Sequence, residues 1–349
     1  MKGMRLFGSM VGATLFALTF SISPVSAAKP SRPCPVPVII ETDMGNDVDD
    51  ALAFDLMFKA QDEGLMKILA IGNHKKSDTA TDYIDILCTF FGYPDIPIAK
   101  SSTPVTNDSA KDYTETVCNM KNGAGQLLYK RSKKPSDIKD PVKLFRQKLA
   151  KAKDHSVVFI SLGFGTDLAA LMASPADKYS NLDGMELIAR KVKFLSIMAG
   201  SYGPRKINEF NVINDIPAMK AVLERWPSPI VQNPFELGKM VKYPGKSIMD
   251  DFMWTAHHPV ADAYECYKKM PYDRPSWDIL SAVYVIHPDM FTIGPAGEIT
   301  VNDEGMTTFV EKSNGKSATL SADKSQSEAL LDYIVTEITK QPKRLSCRP

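Results

Sequence analysis

The chain has 349 residues, with 42 Lys and Arg against 41 Asp and Glu, a formal net charge of +1, and 44% hydrophobic residues. That balance is ordinary for a folded domain: no basic stripe suits nucleic acid, and no repeat, low-complexity tract or charge run marks a disordered tail. Five cysteines at irregular spacings form neither a zinc pattern nor a disulfide scaffold.

In chain order, the first element has the anatomy of a secretory signal. Lys2 and Arg5 supply positive charge, Leu6 to Ile22 is largely apolar, and Val25-Ser26-Ala27 fits a small-residue cleavage site. Residues 1–27 are therefore expected to be removed, which leaves residues 28–349 as one domain in the periplasm or outside the cell. No stable membrane span is expected after that removal. In an oxidising compartment, Cys34 and Cys347 flank the domain as a candidate staple, while Cys88 reads as a small buried hydrophobe.

The stretch Ile39-Ile40-Glu41-Thr42-Asp43-Met44-Gly45-Asn46-Asp47-Val48-Asp49-Asp50 joins a predicted buried strand, Val36 to Ile40, to a helix that begins near Ala51. Four aspartates packed between two apolar elements repel one another unless a cation compensates them, and an oxygen-only donor set suits Ca²⁺ or Mg²⁺. The plain alternative is an Asp-rich turn whose Asp49 and Asp50 favour the first helical turn. An EF-hand loop starting at Asp43 needs Glu at its twelfth position, where Phe54 stands, and the Gly-Lys-Ser/Thr of a phosphate loop is absent.

Further strand-like runs follow at Lys67 to Ile71, Val157 to Leu162 and Val192 to Met198. Each ends in a glycine-containing loop before a helical pattern. Repeated strand–loop–helix units predict an α/β fold, an open, largely parallel sheet with helices on both faces. Ligands of such sheets bind outside the carboxyl ends of the strands. The segment Ser101 to Asp140 reads as irregular loop with a connecting helix, and its acids Asp108, Asp112 and Glu115 follow no clear strand.

Two later clusters complete the pattern. Glu209-Phe210-Asn211, read as extended, places Glu209 and Asn211 on one side, ahead of a helix over Pro217 to Leu223. Two side chains aimed alike suit adjacent hydroxyls of a sugar; the plain reading is a polar loop with Asn214 or Asp215 as a cap. Further on, Trp277-Asp278 opens a mostly apolar run to Ile286.

Taken together and in this order, the three clusters resemble the signatures of the nucleoside hydrolases, the inosine-uridine-preferring family. The first signature is Asp-x-Asp-x-Gly-x-Asp-Asp. Here Glu41 replaces its first Asp, Asp43 is the second, and two extra residues precede Asp49-Asp50, so Asp47 competes with Asp49 for one role. The third is His-Asp-Pro, and this chain has Trp277-Asp278-Ile279. The resemblance spans roughly Val36 to Pro288. It implies Ca²⁺-dependent hydrolysis of the N-glycosidic bond of a small-molecule ribonucleoside. It also implies a metal held by Asp43, Asp50, Asp278 and the Leu162 carbonyl, with Asp43 as general base. Asp47 or Asp49, Asn73 and Asn211 would hold the ribose, Glu209 its hydroxymethyl, and Met198 the pocket wall. Trp277 would stack on the base. With the family's His absent, His74, His257, His258, Tyr264 and Tyr267 are candidate proton donors. Hydrolysis of another ribosyl compound and non-catalytic binding of a nucleoside or sugar in the cell envelope are the alternatives. Homo-oligomerisation stays open.

Overall fold

The computed structural model describes residues 1, 34–75, 77–103, 105, 112–205 and 207–346. Apart from Met1, the expected signal at residues 1–27 lies outside them, as do Asp108 and Cys347 with its proposed pairing. Cys34 is exposed and Cys88 buried, both as free thiols.

Six parallel strands form the centre: β1 (Val36–Thr42), β2 (Met66–Asn73), β3 (Ile98–Lys100), β4 (Val157–Ser161), β5 (Val192–Met198) and β6 (Ile230–Asn233). Their spatial order is 3-2-1-4-5-6. Side chains alternate between the faces as a strand requires. In β1, Val38 and Ile40 enter one core while Ile39 enters the other; in β4, Val158 and Ile160 face the first and Val157 and Phe159 the second. Each such fully buried aliphatic stabilises the fold by roughly 1.5–3 kcal/mol.

The first core is covered by helices Asp49–Asp62, Asp78–Phe90, Pro259–Tyr267, Trp277–Ile286 and Lys324–Thr339. Helices Pro141–Lys151, Thr166–Met172, Gly184–Lys191 and Ile216–Arg225 cover the second. The order of the strands reverses between β1 and β4, and there the carboxyl ends of two neighbours diverge into a crevice.

A short antiparallel ribbon, β7 (Lys242–Tyr243) with β8 (Arg274–Pro275), sits apart from this sheet. Beyond it, β9 (Thr292–Ile293), β10 (Gly297–Val301), β11 (Thr307–Glu311) and β12 (Ser317–Ser321) extend the sheet, with β12 parallel to β6 and the remaining pairs antiparallel. Among the described residues, no helix is long and apolar enough to cross a membrane.

Candidate active site

The chain leaves β1 at Thr42 and turns back through Gly45, whose φ of +101° suits glycine and where a side chain would meet Asp112 Oδ1 at 2.9 Å. The helix then starts at Asp49. Thr42 sits inside this turn, its Oγ1 accepting from the Met44 amide and donating to the Asp50 carboxylate. Asp43 accepts from Asn46 Nδ2 at 2.7 Å. Asp49 accepts from the Asp278 amide at 3.0 Å, which joins the start of this helix to the start of helix Trp277–Ile286.

Asp43, Asp49, Asp50 and Asp278 are each no more than 4% exposed. One oxygen each from Asp49, Asp50 and Asp278 falls within 4.8 Å of the others. Burial pushes these three carboxyls well above the usual range, and neighbouring acids push them further, with Asp47 acting on Asp49, and Asp43 and Asp49 on both Asp50 and Asp278. Burial also raises Asp43, against the pull of His74, Asn46 and Lys75. No lysine or arginine pairs with any of the four among the described residues, and Asp50 Oδ2 is buried without a partner. An all-oxygen set of buried acids with an orphaned carboxylate oxygen fits a hard dication. The structure thus groups Asp49 with Asp50 and Asp278, while Asp43 lines the same cleft outside that trio.

Leu162 follows β4 directly, and its carbonyl accepts from Asn211 Nδ2 at 3.1 Å; the same amide donates to the Met198 carbonyl at the end of β5. Asn211 therefore ties two strand ends together beside the acids. The extended reading of Glu209-Phe210-Asn211 does not hold. Glu209 caps a short helix, Phe210–Ile213, and its carboxylate accepts from the amides of Gly200, Asn211 and Val212. A capping carboxylate satisfies helix donors that have no internal partner, and this outweighs the extended pattern. Burial still lifts the Glu209 carboxyl to about 7, above what those three bonds can offset.

Asn73 does not join the cleft lining. Its Nδ2 donates to Thr81 Oγ1 at 2.9 Å and its Oδ1 accepts from the Lys75 amide, so both ends shape the loop after β2. Asp112 likewise caps helix Tyr113–Cys118 and accepts from Ser77 Oγ.

The cleft has a volume of about 310 Å³, near the lower end of ligand sites, about 300–1,000 Å³. Its lining includes the acids Asp43, Asp47, Asp49, Asp50 and Asp278, with Asn46, Leu162, Met198, Glu209 and Asn211. Four aromatic side chains line it as well: Phe210, Phe235, Tyr267 and Trp277. Trp277 stacks on Phe235, with centroids 5.5 Å apart and planes at 21°, and its indole N–H donates to the Phe235 carbonyl. That N–H is therefore engaged within the protein. Phe235 follows β6, a strand too short to give a periodic signal, and went unmarked in the sequence.

Of the candidate donors, Tyr267 alone lines the cleft, and burial raises its phenol to about 12. His258 is buried elsewhere, 3.6 Å from Asp55, and His257 is exposed. His74 lies behind Asp43: a side chain at Gly163 would meet His74 Nε2 at 2.5 Å and Asp43 Oδ1 at 2.7 Å. Its Nε2 accepts from the Phe164 amide at 2.7 Å, so the proton sits on Nδ1, 3.1 Å from Glu41 Oε2. Glu41, His74 and Asp167 crowd within 4.8 Å, but the one acceptor nitrogen of the ring is taken, so the imidazole cannot serve a cation there.

Residues 38–338 match the sequence profile of the inosine-uridine preferring nucleoside hydrolases. Uridine nucleosidase 1 of Arabidopsis thaliana is 23% identical over 184 residues, a match that spans 53% of this chain and 48% of that protein. Among solved structures, a plant nucleoside hydrolase superposes with a TM-score of 0.69 at 17% identity, covering 88% of this chain and all of that one. A purine-preferring ribonucleoside hydrolase from Gardnerella vaginalis gives 0.67 at 16% identity, covering 87% and 98%. At such identities the superpositions establish the fold. The profile match over most of the chain establishes more: this protein belongs to the inosine-uridine preferring nucleoside hydrolase family.

Proposed function

We propose that the protein is an N-glycosyl hydrolase that cleaves ribonucleosides to ribose and free base with a bound Ca²⁺. One observation carries this reading: four buried carboxylates, with no lysine or arginine ion-paired to them among the described residues, line a cleft of nucleoside size that is also lined by aromatic rings. Asp50, Asp278, Asp43 and the Leu162 carbonyl are the proposed ligands, and the closeness of Asp49 makes it a further donor. When bound, a dication there supplies neutralisation of the acids, a grip on vicinal hydroxyls and a lowered water pKa.

Asp43 takes the proton of the attacking water, its place beside the other acids of the cleft putting it within reach of a water held there. The carboxylates around the sugar favour the positive charge that builds on the ribose ring as the bond breaks. Asn211, Glu209 and Met198 line the sugar side, and Trp277 offers a stacking face to the base. Because the Trp277 N–H is engaged with Phe235, leaving-group protonation does not come from Trp277. That observation favours one second reading, a ribosyl substrate whose leaving group departs without strong acid assistance.

The test is release of free base and reducing sugar across a nucleoside panel, with and without a chelator. A protein that binds nucleosides but releases neither product is a binder. Turnover confined to ribosyl compounds with better leaving groups supports the second reading. Export with loss of the first ~27 residues, typical of signal peptides, is proposed separately; mass spectrometry of the protein from its native host showing Met1 retained contradicts it.

A further inference from the structure

The two residues inserted ahead of Asp49-Asp50 bring in Asp47, and its partner is Arg274. The guanidinium holds the Asp47 carboxylate with a two-point fork, Nε to Oδ1 at 2.8 Å and Nη2 to Oδ2. The same guanidinium lies against the Tyr267 ring, 5.2 Å from its centroid, and against the Trp277 ring, 5.3 Å from its centroid. Asp47, Tyr267 and Trp277 all line the cleft, and they come from three separate segments: the turn after β1, helix Pro259–Tyr267 and helix Trp277–Ile286. Arg274 itself stands behind them.

Its own backbone is held by the β7–β8 ribbon, opposite Tyr243. Next to it, the Ser276 amide donates to the carbonyls of Gly238 and Val241, and Asp273 accepts from the Gly245 amide at 2.9 Å. Gly238 lets Trp277 lie flat, since a side chain there would come within 2.1 Å of the indole. Phe235, Trp277, Arg274 and Tyr267 thus form one continuous stack of contacts.

We propose that Arg274 is a positioning residue that locks Asp47, Tyr267 and Trp277 into the wall facing the leaving base, and so sets the preference for a planar heteroaromatic group. Asp47 then serves the wall rather than the ribose, and Asp49 keeps the sugar role that the two acids could otherwise share. A planar, forked cation is what this site needs, because only guanidinium joins a carboxylate at two points and packs flat between rings; lysine does neither. The proposal rests on the nucleoside-hydrolase reading.

The test measures products separately. Adenine, hypoxanthine, uracil and ribose are each used as inhibitors of 4-nitrophenyl riboside hydrolysis, and their direct binding is read by tryptophan fluorescence and calorimetry. In R274M and R274K the inhibition constant of the best-bound base rises about tenfold, the scale of one lost aromatic stacking contact, while that of ribose stays within about twofold. D47N, which keeps an oxygen for the fork, retains most of the base affinity, whereas D47A follows R274M. Should R274M fail to fold, D47A carries the same comparison. Equal loss of base and ribose, no loss of either, or full rescue by R274K overturns the proposal. A wild-type protein that binds neither base nor ribose fails at the nucleoside reading itself and takes the proposal with it.

Discussion

Helix Asp49–Asp62 buries acids at two levels, and they are handled differently. Nearly two turns beyond its start, Asp55 is fully buried and meets Lys59 Nζ at 2.6 Å; that ammonium also donates to the Ile338 carbonyl of helix Lys324–Thr339. At the start, Asp49 and Asp50 are just as deep and are grouped with a further acid, Asp278, with neutral donors but no lysine or arginine ion pair among the described residues. The first arrangement closes on itself and ties two helices together. The second is incomplete without a cation from outside, which separates a structural buried acid from one that marks a site.

The largest effect expected from breaking this contrast falls on turnover. Asp43→Asn removes the proposed base and should lower turnover by at least ~10²–10⁴-fold, with an unchanged far-ultraviolet spectrum; near-wild-type turnover would remove Asp43 from that role. Next comes Lys59→Met, which strips Asp55 of its lysine partner. Leaving one member of a buried pair alone costs roughly 3–5 kcal/mol, read as a lower denaturation midpoint at pH 8. The loss should shrink toward pH 5, where Asp55 can take a proton.

Asp55 also gives a pH signature in the wild type. Burial, only partly offset by Lys59, holds its carboxyl at about 6 against an ordinary 3.8. The folded state therefore binds the proton more tightly than the unfolded chain. Its contribution to stability is full below about pH 4 and is lost as the pH rises through about 6, a span worth about 3 kcal/mol. Urea midpoints between pH 4 and 7 measure it, and a midpoint rising steadily across that window in Lys59→Met, where the same group should titrate higher still, would contradict the assignment.

The smallest effect concerns the aromatic wall of the same cleft. Stacking adds only ~0.5–1.5 kcal/mol beyond buried area, so Trp277→Ala should lower turnover of natural nucleosides about tenfold at most and 4-nitrophenyl riboside less. Trp277→Phe should fall between. Equal losses on both substrates would make the tryptophan a packing residue alone.

Much of this was legible in the sequence because its signals are local. The strand at Val192 to Met198 and the acid-rich turn after β1 stand out by hydrophobic run and charge. The short β3 and β6 carry too few residues for a period, and with β6 went Phe235. The extended reading of Glu209-Phe210-Asn211 fails because an alternation of polar and apolar residues over three positions also fits a cap and first turn. Asn73 looked available because its partner Thr81 lies across a loop. The fork between Asp47 and Arg274 joins residues far apart in the chain, and nothing in either neighbourhood announces the other.

The central claim, that the acids at the start of helix Asp49–Asp62 await a dication which the protein then uses, is tested most directly by a Ca²⁺ titration of chelator-treated protein. Melting temperature at pH 8 and nucleoside turnover are followed together in the wild type and in Asp50→Asn. The account predicts that both rise with one midpoint in the wild type, the stability gain reaching about 2.7 kcal/mol at a hundredfold excess over Kd. In Asp50→Asn neither should respond over that range, and the metal-free variant should melt higher than the metal-free wild type, since one uncompensated charge is gone. Full turnover in the presence of chelator, or the same Ca²⁺ response in Asp50→Asn, would contradict it.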